Sequence, residues 1–155
     1  MKIKASVDYG IRTVLYLAIK GGVCSSREIS EEMTIPRDYL IQLALHLRRA
    51  GLIYTRPGKN GGYELAKSPA KISIGDIMKV FETEGKKSVK GKRKKLSSPA
   101  AAVHEVESLV TESMNCYLRS ITVEDLVAAS DEDGDPKAMI AAALEKEAGR
   151  LRDRA

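Results

Sequence analysis

Between residues 25 and 65 the chain changes its hydrophobic period twice, and this succession limits the fold more than any other feature. Ser25-Ser26-Arg27-Glu28 has capping-box spacing, which predicts a short helix through about Met33. Thr34-Ile35-Pro36 breaks it, and Pro36 suits the first turn of a second helix over 36–50, with Gly51 placed to end it. LIYTR (52–56) then reads as a strand, PGKNGG as a turn in which Gly and Asn tolerate positive φ, and YELA as the returning strand. Helix, turn, helix and hairpin, in that order, is the pattern of a winged helix-turn-helix.

On the second helix of the pair, Tyr39, Leu40, Leu43, Ala44, Leu47 and Ala50 fall on one face at 100° per residue. Arg37, Asp38, Ile41, Gln42, Leu45, Arg48 and Arg49 fall on the other. Ile41 and Leu45 on an outward face are either covered by another element or touch a ligand. Such a helix has the width of the major groove, and a basic, Gly-rich wing can follow the backbone or enter the minor groove. The capped start of the preceding helix, at Ser26 and Arg27, offers N–H groups and a positive dipole to a phosphate.

The surrounding segments are helical. Val7, Ile11, Val14, Leu15, Leu17 and Ala18 predict an amphipathic helix over 5–20, which argues against a signal peptide. Ser73 and Asp76 predict a capped helix over about 74–83. Residues 84–98 lose the apolar period, and seven of the ten residues 86–95 are basic, so this stretch is expected to be a mobile loop. It suits either an extra phosphate-binding arm or a solubilising segment. A long helix over about 99–119 carries a stripe of Val103, Val106, Leu109, Val110, Met114, Tyr117 and Leu118, of which all but Leu118 are expected to form the dimerisation surface. ITVEDLV predicts a short closing helix from Thr122. DEDGD precedes a last helix from Pro136, with Met139, Ile140, Ala143, Leu144 and Leu151 on its apolar side. The domain reading is therefore a DNA-binding unit at 1–83, a basic loop at 84–98, the dimerisation and closing helices at 99–130, and an acidic turn with a terminal helix at 131–155.

Charge supports a polyanionic partner. The chain has 26 Lys and Arg against 21 Asp and Glu. Residues 1–95 hold 20 basic and 9 acidic residues, whereas 96–155 hold 6 and 12, so the basic front is the part expected to meet nucleic acid. No apolar run is long enough for a bilayer, and a cytosolic protein without membrane association is expected. Cys24 and Cys116 suggest no disulfide framework and read as buried thiols. His46, His104, Glu105, Glu107 and Glu112 have no partners at metal-ligand spacing and read as structural or solvating residues. No catalytic set is recognisable, so an enzyme is not expected.

VDYGIRTVLYLA, SREISEEMTIPRDYLIQLALHLRRAGLI and TRPGKNGGYELAKSPAKISIGDIMKVFE, with ITVEDLV after them, resemble the Rrf-type winged-helix transcription regulators over roughly residues 1–128. This is the family of the iron–sulfur cluster regulator and the cysteine metabolism repressor. The resemblance implies a mainly α fold with a small β-hairpin. It also implies a homodimer on an approximately palindromic double-stranded DNA operator, and repression more often than activation, under a small-molecule or protein effector. It places base reading at Arg37, Asp38, Ile41 and Gln42. Tyr39, Arg48, Arg49, Arg56, Lys59, Asn60 and Gly61 complete the expected DNA-binding set. Many members have an acidic residue where this chain has Ile41. An Ile can meet a thymine methyl but cannot accept a hydrogen bond from a cytosine amino group. Cluster-binding members resemble one another in three closely spaced Cys before the dimer helix. This chain has none there, so no iron–sulfur cluster and no other cofactor is expected. Two other readings compete: a winged-helix module that regulates a partner enzyme, favoured by the outward Ile41 and Leu45, and a sequence-neutral nucleic-acid-binding protein.

Overall fold

The computed structural model describes residues 3–82, 98–130 and 134–153. Of the Lys-rich segment 84–98, only Ser98 lies among them. The elements are α1 (Ala5–Lys20), α2 (Ser26–Met33), α3 (Arg37–Arg49), β1 (Ile53–Arg56), β2 (Gly62–Leu65), a single 3-10 turn at Pro69–Lys71, α4 (Ile74–Glu82), α5 (Ser98–Ser120), α6 (Val123–Ser130) and α7 (Pro136–Arg152). Among the described residues no helix is long and apolar enough to cross a membrane.

Local chemistry sets most of the boundaries. Ser25 Oγ accepts the Glu28 N–H at 3.1 Å and starts α2. The expected capping box is only half used, because the Glu28 carboxylate accepts the Tyr16 O–H at 2.9 Å instead. Thr34 ends α2 in the left-handed region at φ 54°, a conformation costly for a β-branched residue. That single inversion turns the chain sharply into Ile35-Pro36, and Pro36 stands just before α3. Gly51, at φ 71°, lets the Leu52 N–H reach the Leu47 carbonyl at 3.0 Å and closes α3. Reciprocal boxes start α4 through Ser73 and Asp76, and α6 through Thr122 and Asp125.

The core is continuous from the helix-turn-helix to the closing helices. Val14, Leu17, Ile29, Leu40, Leu47, Ile53, Ile72, Ile77, Phe81 and Val123 are nearly or wholly buried in one cluster, which Ile121 and Ala143 join. Gly10 in α1 has a packing reason: a Cβ there would meet the Phe81 ring at 2.4 Å, so the missing side chain makes room for α4. Residues 72–74 and 121–123 pair antiparallel, with the Ile74 N–H on the Ile121 carbonyl at 2.9 Å and the Val123 N–H on the Ile72 carbonyl at 2.8 Å. This ties the start of α6 to the start of α4.

Three expectations about faces need correction. Tyr39 of α3 and Ala50 just after it are exposed, while Leu40, Leu43, Ala44 and Leu47 are buried. Tyr39 instead stands edge-on against Tyr9 of α1, with ring centroids 5.7 Å apart. Tyr117 lies within the α5 stripe by period but is half-buried against the chain's own core, because the end of α5 packs on α4 and α7. On the apolar side of α7, Met139 and Ala143 face inward, whereas Ile140 and Leu144 are exposed.

Burial, and next the hydrogen bond to Glu28, push the Tyr16 phenol up to about 12. The unfolded phenol titrates near 10. The protonated form is thus favoured in the folded state. Its stabilisation is complete below about pH 10 and is lost as pH rises toward 12. Urea-unfolding midpoints measured between pH 8 and 12 should fall across that window, and Tyr16→Phe should flatten the decline. An equally steep decline in Tyr16→Phe would assign it to other groups.

Candidate nucleic-acid interface

The hairpin is held in place from outside itself. β1 and β2 pair antiparallel, with Ile53 opposite Leu65, Tyr54 opposite Glu64, Thr55 opposite Tyr63 and Arg56 opposite Gly62. Cys24, just before α2, adds a bridge to the open edge of β2. Its N–H donates to the Tyr63 carbonyl at 2.9 Å, and the Tyr63 N–H donates to the Cys24 carbonyl at 2.8 Å. The wing is thus fixed against the start of α2. A Cβ on Gly62 would meet the Cys24 carbonyl oxygen at 2.0 Å, and one on Gly61 would meet the Arg56 carbonyl oxygen at 2.1 Å, so both positions need glycine. The expected positive φ in this turn falls on Gly58, at 110°, and not on Asn60.

This arrangement brings six of the thirteen predicted residues onto one concave surface. Ser26, Arg27, Arg37, Arg56, Lys59 and Gly61 line it together with Ser25, Thr55, Gly62 and Tyr63. The Arg37 Nε donates to Ser26 Oγ at 3.2 Å, which joins the first turns of α2 and α3. The Arg27 Nε donates to Glu31 at 2.8 Å, so its charge is partly offset. Asn60 stands exposed at the hairpin tip, and Asp38 is exposed in the first turn of α3.

A second, smaller groove continues this surface along α3. Ile41, Gln42, Leu45 and Arg48 line it with Thr55 and Tyr63 of the wing. Leu45 is half-buried there, and Ile41 keeps 42% of its surface exposed. Burial pushes the Tyr63 phenol up, and Arg37 and Arg48 partly pull it back. The group keeps its proton and remains a donor at neutral pH. Arg49 is not part of this surface: it lines a separate cleft behind α3 with His46, Lys67, Asp76 and Lys79.

Sequence reasoning did not single out Thr55, Tyr63, Glu64 or Cys24 for this face. Tyr63 was visible in the Gly-Gly-Tyr run. Cys24 carried no signal, because its part in the wing is played by backbone atoms. Glu64 accepts from the Nε of Arg56 at 2.6 Å, a cross-strand partner that only the register reveals.

A helix-turn-helix with a hairpin wing and a basic concave face defines a winged-helix DNA-binding protein. Residues 3–129 match the Rrf2 family, described as "Iron-dependent Transcriptional regulator". A Synechocystis protein described as "Putative HTH-type transcriptional regulator slr0846" is 38% identical over 84 residues, which are 53% of this chain and 57% of that one. The match thus spans little more than half of that relative's length. IscR of T. potens superposes with a TM-score of 0.67 at 32% identity, covering 85% of this chain and 90% of that one. CymR (YrzC), the global cysteine regulator of B. subtilis, superposes with a TM-score of 0.65 at 33% identity, covering 84% and 99%. The chain belongs to the Rrf2 family of DNA-binding transcription regulators. These relatives are regulators, not enzymes.

The family description names iron, and the donor set bears on it. The whole chain has two thiols. Cys24 is buried behind the wing, where burial pushes its thiol up and disfavours the thiolate a metal needs. Cys116 is half-buried on α5, far along the chain. Two such separated thiols do not fit an iron–sulfur cluster held by three closely spaced thiolates.

Proposed function

We propose that this chain is a cluster-free repressor in the cytoplasm that binds an approximately palindromic operator as a homodimer. The observation that carries this reading is the continuity of the surface. The groove along α3 shares Thr55 and Tyr63 with the concave face of the wing, so Arg37, Asp38, Ile41 and Gln42 would meet base edges while Ser26, Arg27, Tyr39, Arg48, Arg56, Lys59, Asn60 and Gly61 hold phosphates or the adjacent minor groove. Half-cover of Leu45 by the wing removes part of the apolar surface that favoured a protein-interaction module.

Dimerisation is supported by α5. Val103, Val106, Leu109 and Val110 are 57–61% exposed in the single chain, and Met114 is 36% exposed. Aligned apolar side chains of this kind need cover, and a second copy of the same helix supplies it with two-fold symmetry. Two-fold symmetry in the protein asks for an inverted repeat in the DNA. In this reading the unit at 1–83 docks on the duplex, and the segments at 99–130 and 131–155 join and brace the two copies.

Selection from a random duplex pool, followed by the mass of the complex with the enriched duplex, tests this directly. An inverted repeat and two chains per duplex are expected. A pool that never enriches would favour the sequence-neutral or protein-interaction readings instead. Absence of a cluster predicts an anaerobically purified protein with no stoichiometric visible absorption from iron and sulfide, and a stoichiometric band would overturn it.

A further inference from the structure

Arg56 sits opposite Gly62, so it has no cross-strand side chain beside it. The glycine is required by the close pass of the Cys24 carbonyl. Arg56 therefore reaches diagonally along the same face of the hairpin to Glu64, two residues further on. Its Nε and Nη2 both lie 2.6 Å from Glu64 Oε1. The Glu64 side chain is only 20% exposed, whereas that of Arg56 is 60% exposed. A sheltered carboxylate thus grips one edge of an outward guanidinium and leaves the Nη1 side open.

We propose that Glu64 is a positioning residue that fixes the direction of the Arg56 guanidinium and so sets how sharply the wing discriminates between duplexes. This rests on the operator-binding reading above. The pair has two consequences. A held guanidinium has already lost its rotamer freedom, so a groove that accepts it in that direction gains the contact at little further entropic cost. The carboxylate also offsets the arginine's charge. A loosely docked duplex, held by Coulomb attraction alone, therefore gains little from the wing. Glu64 weakens sequence-neutral binding and leaves the fitted complex its directed contact, which is specificity by a repulsive element.

The test uses the full chain, the selected duplex and a scrambled duplex of equal length, with fluorescence anisotropy across a salt series. Glu64→Gln keeps the shape and removes the charge. It should bind the scrambled duplex roughly 3- to 10-fold tighter, with a log–log salt slope steeper by up to about 0.9, as one more effective phosphate contact requires. Binding to the selected duplex should not tighten, so the specificity ratio falls. Glu64→Asp keeps the charge but withdraws it from Arg56. It should leave scrambled binding weak and still lower the ratio. In an Arg56→Ala background, Glu64→Gln should leave the ratio unchanged. Unfolding midpoints confirm that each variant is folded. An equal change on both duplexes, or the same change without Arg56, would overturn the role of Glu64 alone. Failure to select any preferred duplex would overturn the operator reading and this role with it.

Discussion

Gly62→Ala is expected to unseat the wing and reduce duplex affinity more than 10-fold, about 1.4 kcal/mol or more. The added methyl would lie 2.0 Å from the Cys24 carbonyl oxygen and 2.6 Å from its carbon. Both are backbone atoms, so no rotamer change relieves the overlap. The strands must separate, and the two hydrogen bonds between Cys24 and Tyr63 are the ones lost. At about 0.5–1.5 kcal/mol each, a stability cost of about 1–3 kcal/mol is expected. Urea unfolding measures that cost, and hydrogen exchange at the Cys24 and Tyr63 amides reads the bridge itself. Gly58→Ala is the control: it takes a strained φ but meets nothing within 4 Å, so it should leave the bridge protected. Unchanged amide protection and affinity in Gly62→Ala would show that the wing does not depend on this bridge.

Gln42→Ala and Lys59→Ala should weaken binding in two distinguishable ways. Gln42 faces the groove between α3 and the wing, where its amide can pair with a base edge. Its loss should cost roughly 1–3 kcal/mol at one base pair and relax preference there. Lys59 is an exposed point charge on the hairpin. Its loss should weaken all duplexes alike and reduce the salt slope by about 0.9. Binding to single-base variants of the selected duplex separates the two effects. Identical behaviour of the two variants would refute the division of reading and anchoring between helix and wing.

The pairing of Arg56 with Glu64 shows why reading the residue types was not enough to describe the wing. Arg56 and Glu64 were both plain in the chain, yet their contact follows from register, and register from the bridge that demands Gly62. Arg49 illustrates the converse. It shares a helical face with Arg48 by period, but the outward face of α3 spans two clefts, and Arg49 lines the one behind the helix.

The element order was legible because caps and breakers act within a few residues. Ser25, Pro36, Gly51, Ser73 with Asp76 and Thr122 mark boundaries that the structure keeps. The winged-helix class followed from that order and from the basic front of the chain. Other features depend on neighbours far along the sequence. Tyr16 takes the carboxylate that the α2 box would have used, Phe81 fills the space left by Gly10, and the end of α5 buries Tyr117 in its own subunit. Periodicity states which side chains share a face, whereas packing decides which of them are covered. In this protein the sequence alone determined the helix-turn-helix and its hairpin. Only the tertiary structure, through the Cys24 backbone, decided that the wing is pinned beside α2 and that Arg56 points along Glu64.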